Sequence, residues 1–419
     1  MKNPPVIAAR ATRLDFADEL LAELDLPGGR LRVTRGLGSG LARQPGAARE
    51  ILWSIGDRGP NLKIPLAVDR YGLTVLEAFR DVDGAKLLPC PDIGPAISEL
   101  RVTDDRVELI RSIPIRGRSG RPISGLPPPF GLAEQDEPAL GLDGSLLPAD
   151  PSGADTEGLA VAPNGDFWVG DEYGPSLLHI AADGMVLRRI VPEGSEGWFA
   201  GADYPIEAAL PAIAARRRLN RGFEGLAISD DGAWLYLVFQ SPLAHPDAEA
   251  HRRGRHVRIW KLATATGRVA AQFVYPLDPP RSFRRDKAAG DVDRSDIKVS
   301  ELALLGDDQL LLLERGSLTT KLYAVRLDAE LETPAEQLEL ETRPTIEQAS
   351  VVDEMSTLPV LAKRLILSTD DHPEIDGDLE GIAILSPRTI LLVNDSDFGI
   401  EGVATRFWRI DLTKDASAG

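Results

Sequence analysis

Carboxylates recur at matched places along this chain. Asp155 and Glu157 open the stretch Asp155-Thr-Glu-Gly-Leu-Ala, and Asp171 and Glu172 close it. Between them lie apolar runs at 159–161 and 167–169, joined by Pro163-Asn164-Gly165-Asp166. Asn-Gly supplies the positive φ of a tight hairpin. A hairpin returns its two ends to one place, so four carboxylates would meet there. Like charges that close repel unless a cation or an arginine lies among them. Oxygen-only clusters suit a hard cation such as calcium, which takes six to eight oxygens.

The pattern repeats. Glu224-Gly-Leu-Ala leads through a turn at 230–232 to a strand at 234–239, and then to Gln240. Ser300-Glu301-Leu-Ala leads to Glu314-Arg315-Gly316, and Glu380-Gly-Ile-Ala leads to Asn394-Asp395. First strands thus offer Glu157, Glu224, Glu301 and Glu380 as metal ligands. Second-strand ends offer Asp171, Glu172, Glu314, Asn394, Asp395 and Asp397. Aligning Leu-Ala puts Ser300 rather than Glu301 at the glutamate position. A second role stays open for each acid: capping backbone amides, or pairing with Arg58, Arg221 or Arg315, which stand beside them. A buried carboxylate needs a partner in either case.

Weaker copies lie upstream. Ser39-Gly-Leu-Ala leads to 51–55 and Asp57-Arg58-Gly59, and Ser98-Glu99-Leu100 leads to 107–110. Units beginning near 39, 98, 157, 224, 300 and 380 predict an all-β fold, a six-bladed β-propeller whose inner strands carry the glutamates around one axis. Residues 28–412 would form this single domain, closed by N- and C-terminal strands at 30–35 and 407–412. Loop insertions are expected near 114–153, 193–220, 241–256 and 281–298. Residues 1–27 form an N-terminal segment with helical spacing at 16–24 or, alternatively, a strand from near Ala8. Residues 413–419 read as a disordered tail.

A net charge of −18 over 419 residues argues against nucleic acid as a partner, since its phosphates would be repelled. The lone cysteine, Cys90, allows neither an internal disulfide nor a cysteine-based metal site. No run is long and apolar enough to span a membrane, and the first residues lack the apolar core of a signal peptide. A cytoplasmic location and a removed leader both stay open. With no Gly-x-Ser-x-Gly elbow, Ser-His-Asp chemistry is not expected.

Asp155-x-Glu157-Gly, Gly170-Asp-Glu-Tyr-Gly-Pro175, Asn220-Arg-Gly-Phe-Glu-Gly225, Glu314-Arg-Gly316 and Asn394-Asp-Ser-Asp-Phe-Gly399 together resemble the phytase-like family, described by esterase-like activity of phytase. Calcium-dependent propeller phytases look like more distant relatives, though few lysines stand beside the acids in this sequence. The resemblance implies a propeller often exported from bacteria, to the periplasm or beyond. It also implies a calcium-dependent hydrolase of phosphoesters or carboxyl esters acting on a small anionic or ester substrate. In that reading Glu172 or Glu314 is the general base, and Arg58, Arg221 and Arg315 hold anionic oxygens. A non-catalytic binding propeller with a structural metal and a lactonase-type hydrolase are the alternatives.

Overall fold

The structure, a computed structural model, describes residues 9–130, 137–351 and 358–417. Among these, antiparallel strands dominate, as the alternating apolar runs and Gly- and Asp-rich turns require. Five sheets of four or five strands carry the fold. Their inner strands are Gly40–Ala42, Thr156–Val161, Phe223–Ile228, Lys298–Gly306 and Leu379–Ser386. Each of these packs against the next, and the fifth packs against the first, so the ring is closed. This is the arrangement of a β-propeller.

The expected count of six is corrected to five. The units at 39 and 98 are the two halves of one sheet, because Ile51–Ile55 pairs antiparallel with Ala96–Val102. Each half alone supplies only two strands. The roughly forty residues between them concealed their continuity, because they fold separately. They form Leu62–Lys63, the helix Ile64–Asp69, the 3₁₀ turn Thr74–Phe79 and Lys86–Leu87. Together with the hairpin of Leu20–Leu26 and Gly29–Thr34 they share a core of Leu31, Val33, Leu62, Ile64, Leu76, Leu87 and Phe398. This cap sits beside one mouth of the ring.

Of the two expectations for the N-terminal residues, the strand from near Ala8 holds, as Ala9–Leu14, and the helical one does not. Residues 20–26 are extended, not helical, and pair with the strand that was expected to join 407–412. The partner of Phe407–Leu412 is Ala9–Leu14, which completes the fifth sheet. Residues 9–14 of the expected N-terminal segment are therefore part of the ring, and residues 1–8 lie outside the described residues. At the other end, Ala416 is fully buried in the core of the fifth sheet, so 413–417 are not a loose tail. Residues 418–419 of that expected tail lie outside the described residues, as do 131–136 of the expected loop at 114–153.

A β-bulge interrupts pairing at the same place in four inner strands. It falls between Thr156 and Leu159, Phe223 and Gly225, Val299 and Glu301, and Leu379 and Gly381. The bulged residue is Glu224, Ser300 or Glu380 in three of them, and the pair Glu157-Gly158 spans the bulge in the fourth. A bulge frees one side chain from the sheet's alternation and re-aims it. Here it turns each glutamate toward the axis. The following glycine lets neighbouring strands approach. A Cβ at Gly158 would stand 2.1 Å from the backbone oxygen of Glu224. Gly158→Ala is therefore expected to cost roughly 1–3 kcal/mol or more through overpacking against rigid backbone. Gly197→Ala, with nothing within 4 Å of its added methyl, should be near neutral. Urea denaturation of both variants checks this.

Candidate functional site

Two rings of side chains line one mouth of the channel. The first comes from the inner strands, at the bulge in four of them and at the matching place just before the first: Ser39, Glu157, Glu224, Ser300 and Glu380. The second comes from the ends of the neighbouring strands or just beyond them: Asp57, Glu172, Gln240, Arg315 and Asp395. The carboxylates, Gln240 and Arg315 border a cavity of about 350 Å³ together with Arg58, Asn61, Lys63, Lys86, Asn220, Arg221, Asp296, Lys298, Asp378 and Asp397. Every residue on its wall is polar or charged.

The strand-end acids divide according to strand alternation, in which successive side chains face opposite ways. Glu172 faces the cavity, whereas Asp171 is fully buried within its sheet. There it pairs with Arg189 and accepts from Ser176 Oγ at 3.0 Å. Arg315 faces the cavity, whereas Glu314 turns away. Glu314 accepts from Tyr275 Oη (2.6 Å), the Asp278 amide (2.6 Å) and Lys363 Nζ (2.6 Å). Asp395 faces the cavity, whereas Asn394 braces the backbone of Ala404 and Arg406. Asp171, Glu314 and Asn394 are thus not brought to the site. Glu301 is not on the cavity wall either; its carboxylate accepts from backbone amides on the axis.

The arginines arrive, but two are occupied. Arg58 is held by Glu137 (2.8 Å), Asp155 and Asn220 (2.7 Å), and its guanidinium lies 4.3 Å from the centre of the Tyr173 ring. Arg315 is held by Ser300 Oγ (2.8 Å), Asp378 and Glu380. Arg221 is freer: it donates to Gln240 Oε1 at 2.5 Å. Gln240 in turn donates to Glu172 (3.2 Å) and to Glu224.

Sequence reasoning missed the lysines. Lys298 opens the fourth inner strand, and Lys63 and Lys86 come from the cap. None stands beside an acid of the repeat motif, so adjacency in sequence could not reveal them. Asn220, Asp378 and Asp397 carried a signal of another kind. Each is a non-glycine residue with positive φ, at 53°, 56° and 44°. Such backbone is strained, and Asn and Asp are the side-chain-bearing residues that tolerate it best. Three of them around one cavity mark a place where positioning outweighs local ease.

Glu157 carries the electrostatics. It is 9% exposed and makes no hydrogen bond or ion pair among the described residues. One oxygen of each of Glu157, Glu224 and Glu380 falls within 4.8 Å of the others, and so do oxygens of Asp155, Glu157 and Glu172. Burial, and then the neighbouring Glu224, Asp155 and Glu172, push the Glu157 pKa well above the usual carboxylate range. Burial chiefly raises Glu224 to about 8 and Glu172 to about 7. Glu224 Oε2 is buried without a partner. A hard cation fits this donor set: a partnerless buried carboxylate, an orphaned oxygen beside it, and oxygens only.

Comparison with known proteins gives three findings. The family model for phytase-like proteins, described as esterase-like activity of phytase, matches residues 34–398. A curated relative from Arthroderma benhamiae, described as an uncharacterized secreted protein, is 26% identical over 304 residues. That match covers 65% of this chain and 56% of the relative, so the chain spans little more than half the length of the curated relative it matches. Among solved structures, a PQQ-bound aldose sugar dehydrogenase from Streptomyces coelicolor is 11% identical, covering 97% of this chain and 99% of its own at a TM-score of 0.33. Virginiamycin B lyase from Staphylococcus aureus is 12% identical, covering 94% of this chain and all of its own, also at 0.33. At that level of likeness the strand pairings, not these neighbours, define the fold.

The raised carboxylates predict a pH dependence. Without a cation, the folded protein holds protons on Glu157, Glu224 and Glu172 that the unfolded chain releases near pH 4.5. Their contribution to stability is present below that pH and is lost as pH rises through the folded values. The melting temperature in chelator should therefore fall as pH rises from about 4.5 to about 8. The fall should be smaller in Glu157→Gln, which has no proton to lose there. A flat profile in the wild-type protein would contradict the assignment.

Proposed function

Because the chain belongs to the phytase-like family, described by esterase-like activity of phytase, we propose that it is a calcium-dependent phosphoester hydrolase working at the acidic mouth of the ring. The observation that carries this reading is Glu157: a buried, partnerless carboxylate facing Glu224 and Glu380 on one side and Asp155 and Glu172 on the other. The wall favours phosphoesters over carboxyl esters of apolar acids. It offers no apolar surface to an acyl chain, and it offers Arg221, Lys298 and Lys63 to anionic oxygens.

Glu157 and Glu224, with Glu380 and Asp155 beside them, would hold the cation. When bound, it would neutralise the carboxylates, polarise a phosphoryl oxygen and make an attacking water more acidic. The remaining work falls to the chain. Glu172 accepts a proton from water. Its pKa near 7 suits a general base at neutral pH, and Gln240 fixes its orientation through Oε1. Arg221 and Lys298 attract the phosphoryl oxygens. Arg58 and Arg315, already committed to acids, hold Asp155 and Glu380 in place instead of gripping substrate. Lys63 and Lys86 extend the positive wall toward the cap. An extracellular or periplasmic place of action belongs to the same proposal, supported by the secreted relative. Among the described residues no helix is long and apolar enough to cross a membrane.

Calcium should raise the melting temperature, because a ligand bound by the folded state alone adds roughly 2.7 kcal/mol at a hundredfold excess over Kd. Identical melting curves in EDTA and millimolar calcium would count against the seat. Variants sort the roles. Glu157→Gln should abolish turnover of a chromogenic phosphomonoester and weaken calcium binding. Glu172→Gln should lower turnover about 10²–10⁴-fold, the usual contribution of a general base, while sparing calcium binding. Glu99→Gln, which loses only an exposed pair with Arg111, should change neither. Full turnover in folded Glu157→Gln would overturn the proposed site.

A further inference from the structure

Aligned on their Leu-Ala or Ile-Ala pairs, the five inner strands read Ser39-Gly40-Leu41, Glu157-Gly158-Leu159, Glu224-Gly225-Leu226, Ser300-Glu301-Leu302 and Glu380-Gly381-Ile382. Four carry glycine at the second position, and the ring leaves them no room for more. A Cβ would stand 2.6 Å from Glu157 O at Gly40, 2.1 Å from Glu224 O at Gly158, 2.5 Å from Leu302 N at Gly225 and 2.6 Å from Val393 Cγ1 at Gly381. The fourth strand alone breaks the pattern, with Glu301.

Its side chain is fully buried and fills the axis. Oε1 accepts from the amides of Leu302 (2.9 Å) and Leu226 (3.3 Å), and Oε2 accepts from the amide of Leu41 (3.3 Å). These are the third-position amides of three repeats. The first and fourth inner strands are not neighbours in the ring, so the bond to Leu41 crosses the channel. Glu301 sits where the channel changes character. On one side lies the charged cavity with Glu157, Glu224 and Glu380. On the other lies a second cavity of about 380 Å³, lined by Leu159, Leu226, Leu302 and Ile382 near the axis and by Arg43, Gln44, Arg49 and Asp230.

We propose that Glu301 is a positioning residue, not a metal ligand: a buried carboxyl group whose oxygens tie three inner strands together one residue below the first-ring glutamates. Of the three tied strands one carries Glu224, and the other two, with Ser39 and Ser300, pack against the strands of Glu157 and Glu380, so the tie sets the width of the ring and through it the spacing of the three carboxylates and the size of cation they accept. The proposal rests on the cation seat described above. Calcium takes oxygens at 2.3–2.6 Å with a flexible number of ligands, whereas magnesium demands about 2.0–2.1 Å and an octahedron. Discrimination between the two therefore depends on how firmly the glutamate-bearing strands are spaced. Removing the tie changes that spacing without removing any ligand.

Glu301→Gly tests this, because glycine is what the ring accepts at the other four positions. It leaves three inward amides around a hole the size of a small carboxylate. Calcium and magnesium affinities are measured by titration calorimetry on the full chain, with circular dichroism as the check on folding. Glu301→Gly should bind calcium about 10–100-fold more weakly, the usual cost of losing a residue that orients metal ligands. The calcium-to-magnesium affinity ratio should narrow with it. Formate at tens of millimolar should restore both by occupying the three amides, and should leave the wild-type protein unchanged. A merely structural role would lower the melting temperature and leave the ratio alone. Glu301→Gly that binds calcium like the wild type without formate, or that stays unfolded with formate present, overturns the proposal. Absence of calcium binding to the wild-type protein would sink the seat itself and this proposal with it, whereas calcium binding that Glu301→Gly leaves intact would sink this proposal alone.

Discussion

Burying like charges together is the constraint on which the rest of this structure depends. Glu157, Glu224, Glu172 and Asp155 come from two adjacent sheets and meet, all of them buried, in two groups linked through Glu157, with oxygens within 4.8 Å of one another in each. Each pays a desolvation cost when ionised, and each raises that cost for the others. Three means of relief are built around them. Arg58 takes Asp155, Arg315 takes Glu380, and Gln240 bridges Glu172 to Glu224. Glu157, the member they all surround, receives none. A cation at Glu157 would complete a neutralisation that the arginines leave unfinished.

The ring geometry follows from the same requirement. A regular inner strand would alternate its side chains between the two faces of a sheet, and none would point down the axis. The shared bulge breaks that alternation once per strand, at the glutamate position. The adjoining glycines permit inner strands close enough for carboxylates on different sheets to share one ion. The cap then brings Lys63 and Lys86 to a mouth that would otherwise carry a large excess of acid. Positive-φ backbone at Asn220, Asp378 and Asp397 holds polar groups at the rim in directions that relaxed strands do not reach.

Much of this was legible in the sequence, and the misses have physical causes. Glu-Gly-Leu-Ala and its looser copies at 39, 300 and 380 located the inner strands and the axis they share. The motif-bearing residues Glu157, Glu172, Glu224, Glu380, Asp395, Asp397, Arg58, Arg221 and Arg315 all reach the same cavity. Asp171, Glu314 and Asn394 were misplaced because each is one residue short of a cavity-facing neighbour, and a shift of one reverses the face. Glu301 was misread for a related reason: it occupies the glycine position, so its side chain enters the axis below the acids. The lysines were illegible because cap folding and strand entry, not the repeat, deliver them. The count of six failed because the first sheet is split by an insertion with a core of its own. A local motif cannot show that its two halves pair.

A crystal structure of the protein grown in millimolar calcium, with anomalous difference density collected to identify the ion, addresses the central claim most directly. The account predicts a peak bonded to Glu157 and Glu224 at about 2.3–2.6 Å, the usual range for calcium and oxygen. An empty map there, with Glu157 and Glu224 sharing a proton in a carboxyl–carboxylate hydrogen bond, would contradict it.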